Sequence, residues 1–298
     1  MNSPTQSSPL PGNSSALLRK ALASSQMLVA PGAYDAIGAR MIMQAGFKAA
    51  YMTGAGTSAA RGFPDFGLLS FSEMVDNAGA MAQSVDIPLI ADADTGYGNE
   101  LNVTRTVREY EARGVAAIHI EDQVAPKRCG HLDGKQVVSR QEFVSKIRAA
   151  AAARRTSDFY IIARTDALST LDFDEAIWRG NAALDAGADM AFVEAPRSLE
   201  ELERVPKLIA GPCLLNVVPG GRTPIISMKD AQRMGYKLAI HPALMLMAVL
   251  EAGDVALAQL RDTGFSASAA GPISEMFRRF GADEWEPVRT RFNDPAGV

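Results

Sequence analysis

The sequence is poor in cysteine, with only Cys129 and Cys213 among its 298 residues. Two cysteines this far apart exclude a disulfide-rich scaffold and predict a reducing location, the cytoplasm. The net charge of −4 shows no basic excess, so we expect no nucleic-acid partner. A run of about 18 apolar residues is also absent, so we expect no membrane span.

The first residues, MNSPTQSSPLPGNSS, contain neither the basic segment nor the apolar core of a secretory signal peptide. Their Ser, Pro and Asn content predicts a mobile tail over residues 1–13. The chain is 47% hydrophobic and 21% charged, which is enough to build a full core. Residues 14–298 are therefore predicted to form a single domain with a C-terminal helical extension from about residue 242.

Eight short, almost continuously apolar segments alternate with helical patterns. The predicted strands are 27–31, 48–53, 87–92, 115–121, 159–164, 189–194, 212–217 and 236–240. The clearest predicted helices between them are 71–84, 99–113, 139–154, 172–186 and 198–208. Continuous apolar strands are typical of a parallel sheet covered on both faces. The alternation predicts a (β/α)8 TIM barrel, because an open doubly wound sheet would favour a GxGxxG motif after the first strand, and none is present.

The chain continues well past the eighth predicted strand. Residues 242–263 follow a helical pattern, 266–271 (SASAAG) read as a flexible connector, and 272–281 predict a short amphipathic helix. The residues alone leave open whether this extension packs on a neighbouring subunit or covers its own barrel.

Carboxylates gather at the ends of the third and fourth predicted strands, on the face where barrels carry their chemistry. Asp92 and Asp94 are two residues apart, so both can point to one side, and Glu121 follows the adjacent strand. Three carboxylates at one mouth are costly unless a cation or protons offset them. Oxygen ligands of this kind suit Mg²⁺ or Mn²⁺. The alternative is that these acids cap helices or pair with basic side chains.

Two further strand ends carry side chains that can bind a carboxylate. Arg164 can hold one with two parallel hydrogen bonds, although pairing with Glu194 or Asp166 is an alternative role. Asn216 can donate to a second carboxylate or cap its own strand.

The loop over residues 124–138 has the length and glycine content of a lid. It places Cys129 beside Lys127, Arg128 and His131. Positive neighbours predict a lowered thiol pKa and an acid/base or nucleophilic role for this cysteine. Cys213 lies inside an apolar strand and is predicted to be an inert core residue.

Six motifs resemble those of the isocitrate lyase/phosphoenolpyruvate mutase superfamily. They are YMTGAG (51–56), ADADTGYG (91–98), HIEDQ (119–123), PKRCGH (126–131), ARTDA (163–167) and NVVPGGRTP (216–224). KRCGH after HIEDQ is similar to the lyase branch, because the mutase and phosphonopyruvate hydrolase branches lack that cysteine. The resemblance implies a barrel whose eighth helix is exchanged between subunits, in a homotetramer built from two dimers.

The resemblance also implies a site for each part of the reaction. Mg²⁺ is expected near Asp92, supported by Asp65, Asp94 and Glu121. The predicted substrate-binding residues are Tyr51, Thr53, Gly54, Ala55, Asp92, Gly130, His131, Arg164, Glu194, Asn216 and Pro242. The predicted catalytic residues are Cys129, Tyr51, Lys127, His131 and Arg164. Among these, Cys129 matches the residue that protonates the carbanion left by cleavage, and Tyr51 is the candidate base.

The implied reaction cleaves a carbon–carbon bond of a small dicarboxylate and yields a keto acid such as pyruvate. Residues 216–221 read NVVPGG, where 2-methylisocitrate lyases tend to read NITEFG, so a hydroxyl that could hold a third carboxylate is missing. Pro242 resembles lyases that accommodate a methyl group. An alkylmalate such as 2,3-dimethylmalate is therefore the predicted substrate. The alternatives are 2-methylisocitrate cleavage, oxaloacetate hydrolysis, phosphonate mutase or hydrolase chemistry, and a non-catalytic barrel.

Overall fold

The computed structural model describes residues 13–132, 134–266 and 271–292. Eight parallel strands pair in chain order and the eighth closes on the first. They are β1 Leu28–Ala33, β2 Ala50–Met52, β3 Leu89–Asp92, β4 Ala117–Glu121, β5 Tyr160–Thr165, β6 Met190–Val193, β7 Cys213–Asn216 and β8 Leu238–His241. The predicted TIM barrel is confirmed, and each strand bound lies within two residues of its prediction.

Helices follow the strands around the barrel. They are α1 Asn13–Leu22, α2 Ala36–Gln44, α3 Gly54–Ala59, α4 Phe71–Gln83, α5 Glu100–Ala112, α6 Arg140–Ala153, α7 Ala167–Thr170, α8 Phe173–Asp185, α9 Leu199–Leu208, α10 Met228–Met234, α11 Leu244–Thr263, α12 Ile273–Arg278 and α13 Ala282–Phe292. The five clearest predicted helices are confirmed within one residue at each end. Helix α1, the short helices α3 and α7 and the last helix α13 were not predicted.

Local chemistry sets where these helices begin and end. The Ser70 hydroxyl accepts a hydrogen bond from the Glu73 amide, and the Glu73 carboxylate accepts one from the Ser70 amide, so two amide groups at the start of α4 are satisfied. Helix α10 ends at Gly235, whose φ of 110° is available to glycine at little cost. Helix caps of this kind fix the short turns that connect each helix to the next strand.

Both faces of the strands are buried. Leu28 and Ala30 of β1 pack inside the barrel with Tyr51, whereas Val29 points outward to the layer between strands and helices. Cys213 is 1% exposed in that outer layer, which confirms its place in the core. No helix of the described residues has the length and apolar character needed to cross a lipid bilayer.

A buried ion pair fixes the ends of β4 and β5 relative to each other. The carboxylate of Asp122 accepts hydrogen bonds from the Thr165 hydroxyl (2.6 Å), the Asp166 amide (2.8 Å) and the Arg179 guanidinium (3.0 Å). Arg179 also donates to the backbone oxygen of Val138, at the end of the 124–138 loop (2.9 Å). This network therefore holds both the strand ends and the base of the loop.

The terminal residues form a second compact unit, with the boundary between Leu246 and Met247. No residue of α11 is buried, although much of the helix is apolar. The predicted tail lies outside the described residues except for Asn13, which begins α1, and residues 267–270 of the predicted connector also lie outside them. The single-domain assignment of residues 14–298 stays a prediction.

Loss of the buried ion pair between Arg179 and Asp122 is expected to lower the stability of the fold strongly. Replacing Arg179 with Met leaves the Asp122 carboxylate buried without its cation, which we expect to lower the free energy of unfolding by about 3–5 kcal/mol. Urea unfolding followed by circular dichroism measures the change. The matched control is Arg140→Met. Arg140 also pairs with Glu175, a partner of Arg179, but the Arg140 side chain is 53% exposed. We therefore expect a far smaller loss of unfolding free energy in this control. Equal losses in both variants would contradict the role given to the buried pair.

Candidate active site

A cavity of about 170 Å³ opens at the carboxyl ends of the strands. The predicted residues that line it are Tyr51, Thr53, Ala55, Asp65, Asp92, Cys129, Gly130, His131, Arg164, Glu194, Asn216 and Pro242. The remaining four, Gly54, Asp94, Glu121 and Lys127, each contact a residue that lines the cavity. The structure therefore brings the whole predicted set together at one mouth of the barrel.

Asp92 ends β3 and is fixed by backbone amides. Gly54 at the start of α3 donates to one carboxylate oxygen (3.2 Å), and the Asp94 amide donates to the other (2.9 Å). A Cβ on Gly54 would lie 2.5 Å from that carboxylate, so only glycine permits this approach. Burial opposes ionisation, but His119, Lys127 and Arg164 outweigh it and hold the pKa of Asp92 below its usual value.

Lys127 of the 124–138 loop is almost fully buried between two of the acids. Its Nζ lies 2.5 Å from Asp65 Oδ1 and 2.9 Å from Asp94 Oδ1. Asp94 is itself buried and adopts a φ of 45°, and burial raises its pKa to about 6 despite the lysine. The charge of Lys127 is thus committed to the carboxylates.

Glu121 at the end of β4 is fully buried, and burial raises its pKa well above the ordinary value. Arg164 NH1 lies 3.2 Å from Oε2, but Oε1 has no hydrogen-bond partner among the described residues. Within the described ranges, no three Asp, Glu, His or Cys side chains converge closely enough to hold a metal ion by themselves. The oxygen-only donor set fits an ion such as Mg²⁺, which keeps waters and substrate oxygens as most of its ligands.

Arg164, the penultimate residue of β5, pairs with Asp166, which is one of the two roles considered for it, and carboxylate binding stays a prediction. Its Nε and NH2 donate to the two oxygens of Asp166 (3.0 and 3.2 Å), while its side chain also forms part of the cavity wall. Glu194 is more distant, at 4.0 Å. Burial raises the pKa of Asp166, but Arg164 and Lys135 outweigh it and lower that pKa to about 2.

Glu194, Asn216 and His131 form a connected group in the cavity wall. Asn216 Nδ2 lies 3.3 and 3.2 Å from the two Glu194 oxygens, and His131 Nε2 lies 3.2 Å from Glu194 Oε1. On its other side, His131 Nδ1 accepts a hydrogen bond from the Arg222 amide (3.1 Å). A backbone N–H can only donate, so Nδ1 is an acceptor and carries no proton. The neutral imidazole ring therefore carries its single proton on Nε2.

His119 is a candidate site residue that the sequence interpretation missed. It is fully buried, its Nε2 lies 2.7 Å from the Tyr51 hydroxyl, and the same atom lies 3.4 Å from Asp92 Oδ1. Burial lowers the pKa of His119 to about 4 and raises that of Tyr51 well above 10, so both groups are neutral at pH 7. The available signal was its position two residues before Glu121, which places both side chains on one side of β4.

The prediction of a lowered thiol pKa at Cys129 is wrong. Burial raises the pKa of this thiol. Its basic sequence neighbours do not offset this effect, because their charges face other groups. Lys127 faces Asp65 and Asp94, and Arg128 lies over the ring of Phe66. The thiol therefore stays protonated near neutral pH, which suits a proton donor better than a nucleophile.

Comparisons with known proteins agree with this architecture. The family profile described as phosphoenolpyruvate phosphomutase matches residues 18–261. The chain belongs to this family. It is 48% identical to a 2,3-dimethylmalate lyase of Eubacterium barkeri over 241 residues, 80% of this chain and 83% of that protein.

Solved structures extend the likeness to nearly the whole chain. Oxaloacetate acetylhydrolase bound to 3,3-difluorooxalacetate superposes with a TM-score of 0.91 at 41% identity, covering 95% of this chain and 98% of that one. Phosphonopyruvate hydrolase in complex with oxalate and Mg²⁺ superposes with a TM-score of 0.86 at 32% identity, covering 94% and 99%. The resemblance to the isocitrate lyase/phosphoenolpyruvate mutase superfamily is confirmed.

The contact between His131 and Arg222 predicts one tautomer. With only three histidines in the chain, the imidazole nitrogens can be resolved by long-range ¹H–¹⁵N NMR of histidine-labelled protein, and His131→Gln assigns the signal. We expect an unprotonated Nδ1 on His131. In Gly221→Ala, whose new methyl would lie 2.7 Å from Nδ1, the His131 signals should move while those of His119 stay. A protonated Nδ1 in the unchanged protein would contradict the assignment.

Proposed function

We propose that this chain is a Mg²⁺-dependent lyase that cleaves a 2-hydroxy dicarboxylate into pyruvate and a carboxylic acid. The observation that carries the proposal is the placement of Cys129. Its thiol, kept protonated by burial, lines the same cavity as Asp92 and Arg164. A proton donor facing a carboxylate-binding arginine and buried acids is what cleavage to a carbanion requires.

The substrate is proposed to bind through its two carboxylates. Arg164 would receive the carboxylate of the hydroxy acid portion, with Tyr51, Thr53 and the backbone of Gly54 and Ala55 around it. Gly130, His131 and Asn216 would receive the second carboxylate, beside Glu194. The Nε2 proton of His131 points to this side because Arg222 occupies its other nitrogen.

The metal ion would bind at the end of the cavity that receives the hydroxy acid portion of the substrate. Asp92 would hold it directly, with Asp65, Asp94 and Glu121 acting through water. Bound there, Mg²⁺ supplies positive charge that stabilises the oxyanion of the keto acid as it forms. Mn²⁺ has the same ligand preference and could replace it.

Tyr51 is the proposed base. Its raised pKa disfavours a free phenolate, so it would take the substrate's hydroxyl proton while passing its own proton to His119, 2.7 Å away. The electrons of the broken carbon–carbon bond then remain on the departing fragment. Cys129 Sγ protonates that carbon, and the new keto acid stays against Arg164. Lys127 assists by holding Asp65 and Asp94 in place.

The cavity wall supports an alkyl-substituted substrate. Phe192, Val218, Pro242 and Leu246 present an apolar surface beside the polar groups. No hydroxyl is offered at position 218 for a third carboxylate, which argues against 2-methylisocitrate by a factor of about 10–200. The similarity to 2,3-dimethylmalate lyase favours 2,3-dimethylmalate. Oxaloacetate hydrolysis is the second candidate, favoured by the likeness to oxaloacetate acetylhydrolase.

Replacing Cys129 with Ser tests the proposed chemistry. A hydroxyl is a much weaker acid than a thiol, so we expect kcat for pyruvate release from 2,3-dimethylmalate to fall by about 10²–10⁴. A coupled pyruvate assay with Mg²⁺ measures it, and Cys213→Ala, in the outer core layer, serves as control. Pyruvate release at the original rate in Cys129→Ser would contradict the role of Cys129 as proton donor. A phosphonate-cleaving activity that survives this change would favour phosphonate chemistry. Oxaloacetate hydrolysis yields oxalate and acetate, so that reaction is monitored by oxalate release. A hundredfold preference of the unchanged enzyme for 2-methylisocitrate or oxaloacetate would overturn the substrate assignment, and no turnover of any diacid would favour a binding role.

We also propose a homotetramer of two helix-exchanged dimers. The support comes from the exposed apolar side chains of α11, which in the single chain leave Leu257 68% exposed. A helix with this much exposed apolar surface is stabilised when another protein surface packs against it. The partner that the resemblance implies is a second copy of the chain.

Leu257→Glu would place a charge in that interface. We expect analytical ultracentrifugation to show tetramers for the unchanged chain and smaller species for this variant. Gln259→Glu adds the same charge to an already polar position of the helix and should leave the mass unchanged. A monomeric unchanged chain, or a tetrameric Leu257→Glu variant, would contradict the proposal.

A further inference from the structure

Lys135 is a buried cation of the 124–138 loop to which the proposed chemistry gives no role. Its side chain is only 1% exposed, although it belongs to a loop. The Nζ lies 2.9 Å from Asp166 Oδ1 and also donates to the backbone oxygen of Gly130. Lysine is rarely this buried unless its charge is paired.

The partner of Lys135 is also the partner of Arg164. Both oxygens of Asp166 accept from Arg164 (3.0 and 3.2 Å), and Oδ1 accepts from Lys135 as well. Asp166 is itself held in place, because its amide donates to the Asp122 carboxylate (2.8 Å). A loop lysine therefore reaches a fixed acid that also orients the proposed carboxylate-binding arginine.

The second contact of Lys135 lies at the tip of the loop. Gly130 packs so tightly against the cavity wall that a Cβ would lie 2.5 Å from both Arg164 NH2 and Glu194 Oε1. Holding the Gly130 carbonyl therefore fixes the peptide next to Cys129. The base of the loop is held separately, by the Val124 amide bonding to Gln136 O and the Val138 amide to Asp122 O (both 2.8 Å).

We propose that Lys135 is a positioning residue that holds the 124–138 loop closed through Asp166 and so places Cys129 over the cavity. Its catalytic consequence rests on the proposed lyase function, whereas its effect on the loop does not. Opening the loop takes Lys135 away from Asp166 and leaves that buried carboxylate to Arg164 alone. Closure shares the Asp166 charge between two cations, so more of the Arg164 charge is available to a substrate carboxylate.

The accessibility of Cys129 measures closure without substrate. In Lys135→Met, whose side chain keeps its length but loses its charge, we expect iodoacetamide to label Cys129 about tenfold faster or more, because breaking a buried ion pair is strongly unfavourable. Mass spectrometry assigns the label. Cys213 is the internal control, because it is 1% exposed and reacts only if the barrel unfolds. Gln136→Met, at an exposed neighbouring position in the same loop, should label at the original rate.

The activity assay gives the second readout. The same Lys135→Met variant should also show a lower kcat/KM for pyruvate release, because more of the molecules then hold Cys129 away from the cavity. The loss should be smaller than the gain in labelling rate, since labelling follows the open fraction and activity follows the closed fraction. If Cys213 is labelled in Lys135→Met, the barrel has unfolded and Lys135→Gln is tested in its place. Gln keeps a donor for the Gly130 carbonyl, so we expect a smaller increase in the labelling of Cys129.

Unchanged labelling of Cys129 in a folded Lys135 variant would overturn the proposal, whether or not activity falls. Faster labelling of Cys129 alone would support it even if the unchanged enzyme cleaved no diacid. In that case the proposed function would fail and the positioning role would stand.

Discussion

The burial of carboxylates at one end of the barrel is the constraint on which the rest of this site depends. Closing eight parallel strands brings five buried acids around one mouth, Asp92, Asp94, Glu121, Asp166 and Glu194. So many acids in a low-dielectric site require cations or protons. Lys127 and Lys135 come from the 124–138 loop, and Arg164 comes from β5. The loop therefore contributes charge to the acids as well as a cover for the cavity.

The same constraint explains the state of Cys129. A cysteine among basic neighbours would become a thiolate if those charges faced it. Here Lys127 is committed to the acids, so burial decides and the thiol keeps its proton. In the proposed mechanism, closure of the 124–138 loop would both neutralise the mouth and bring a neutral acid to the substrate. A neutral thiol that lines the cavity is suited to protonating carbon.

Much of the fold was predictable because its signals are local. Apolar runs, serine and asparagine caps and glycine ends lie within a few residues of what they determine. The motif residues of the mouth were predictable because strand ends of a barrel meet. The thiol pKa and the role of His119 were not, because both depend on partners distant in sequence, Asp65 for Lys127 and Tyr51 for His119. Short helices such as α7 were missed for want of a periodic pattern.

In the proposed mechanism, the buried Cys129 thiol delivers one proton to the carbanion from one side. Cleavage of 2,3-dimethylmalate in D₂O tests it most directly, because the thiol exchanges its proton for deuterium before it reacts. We expect propionate with a single carbon-bound deuterium on one face only, detected by NMR of a chiral derivative. Deuterium distributed equally over both faces would show protonation by solvent in an open site and would rule out Cys129 as the proton donor.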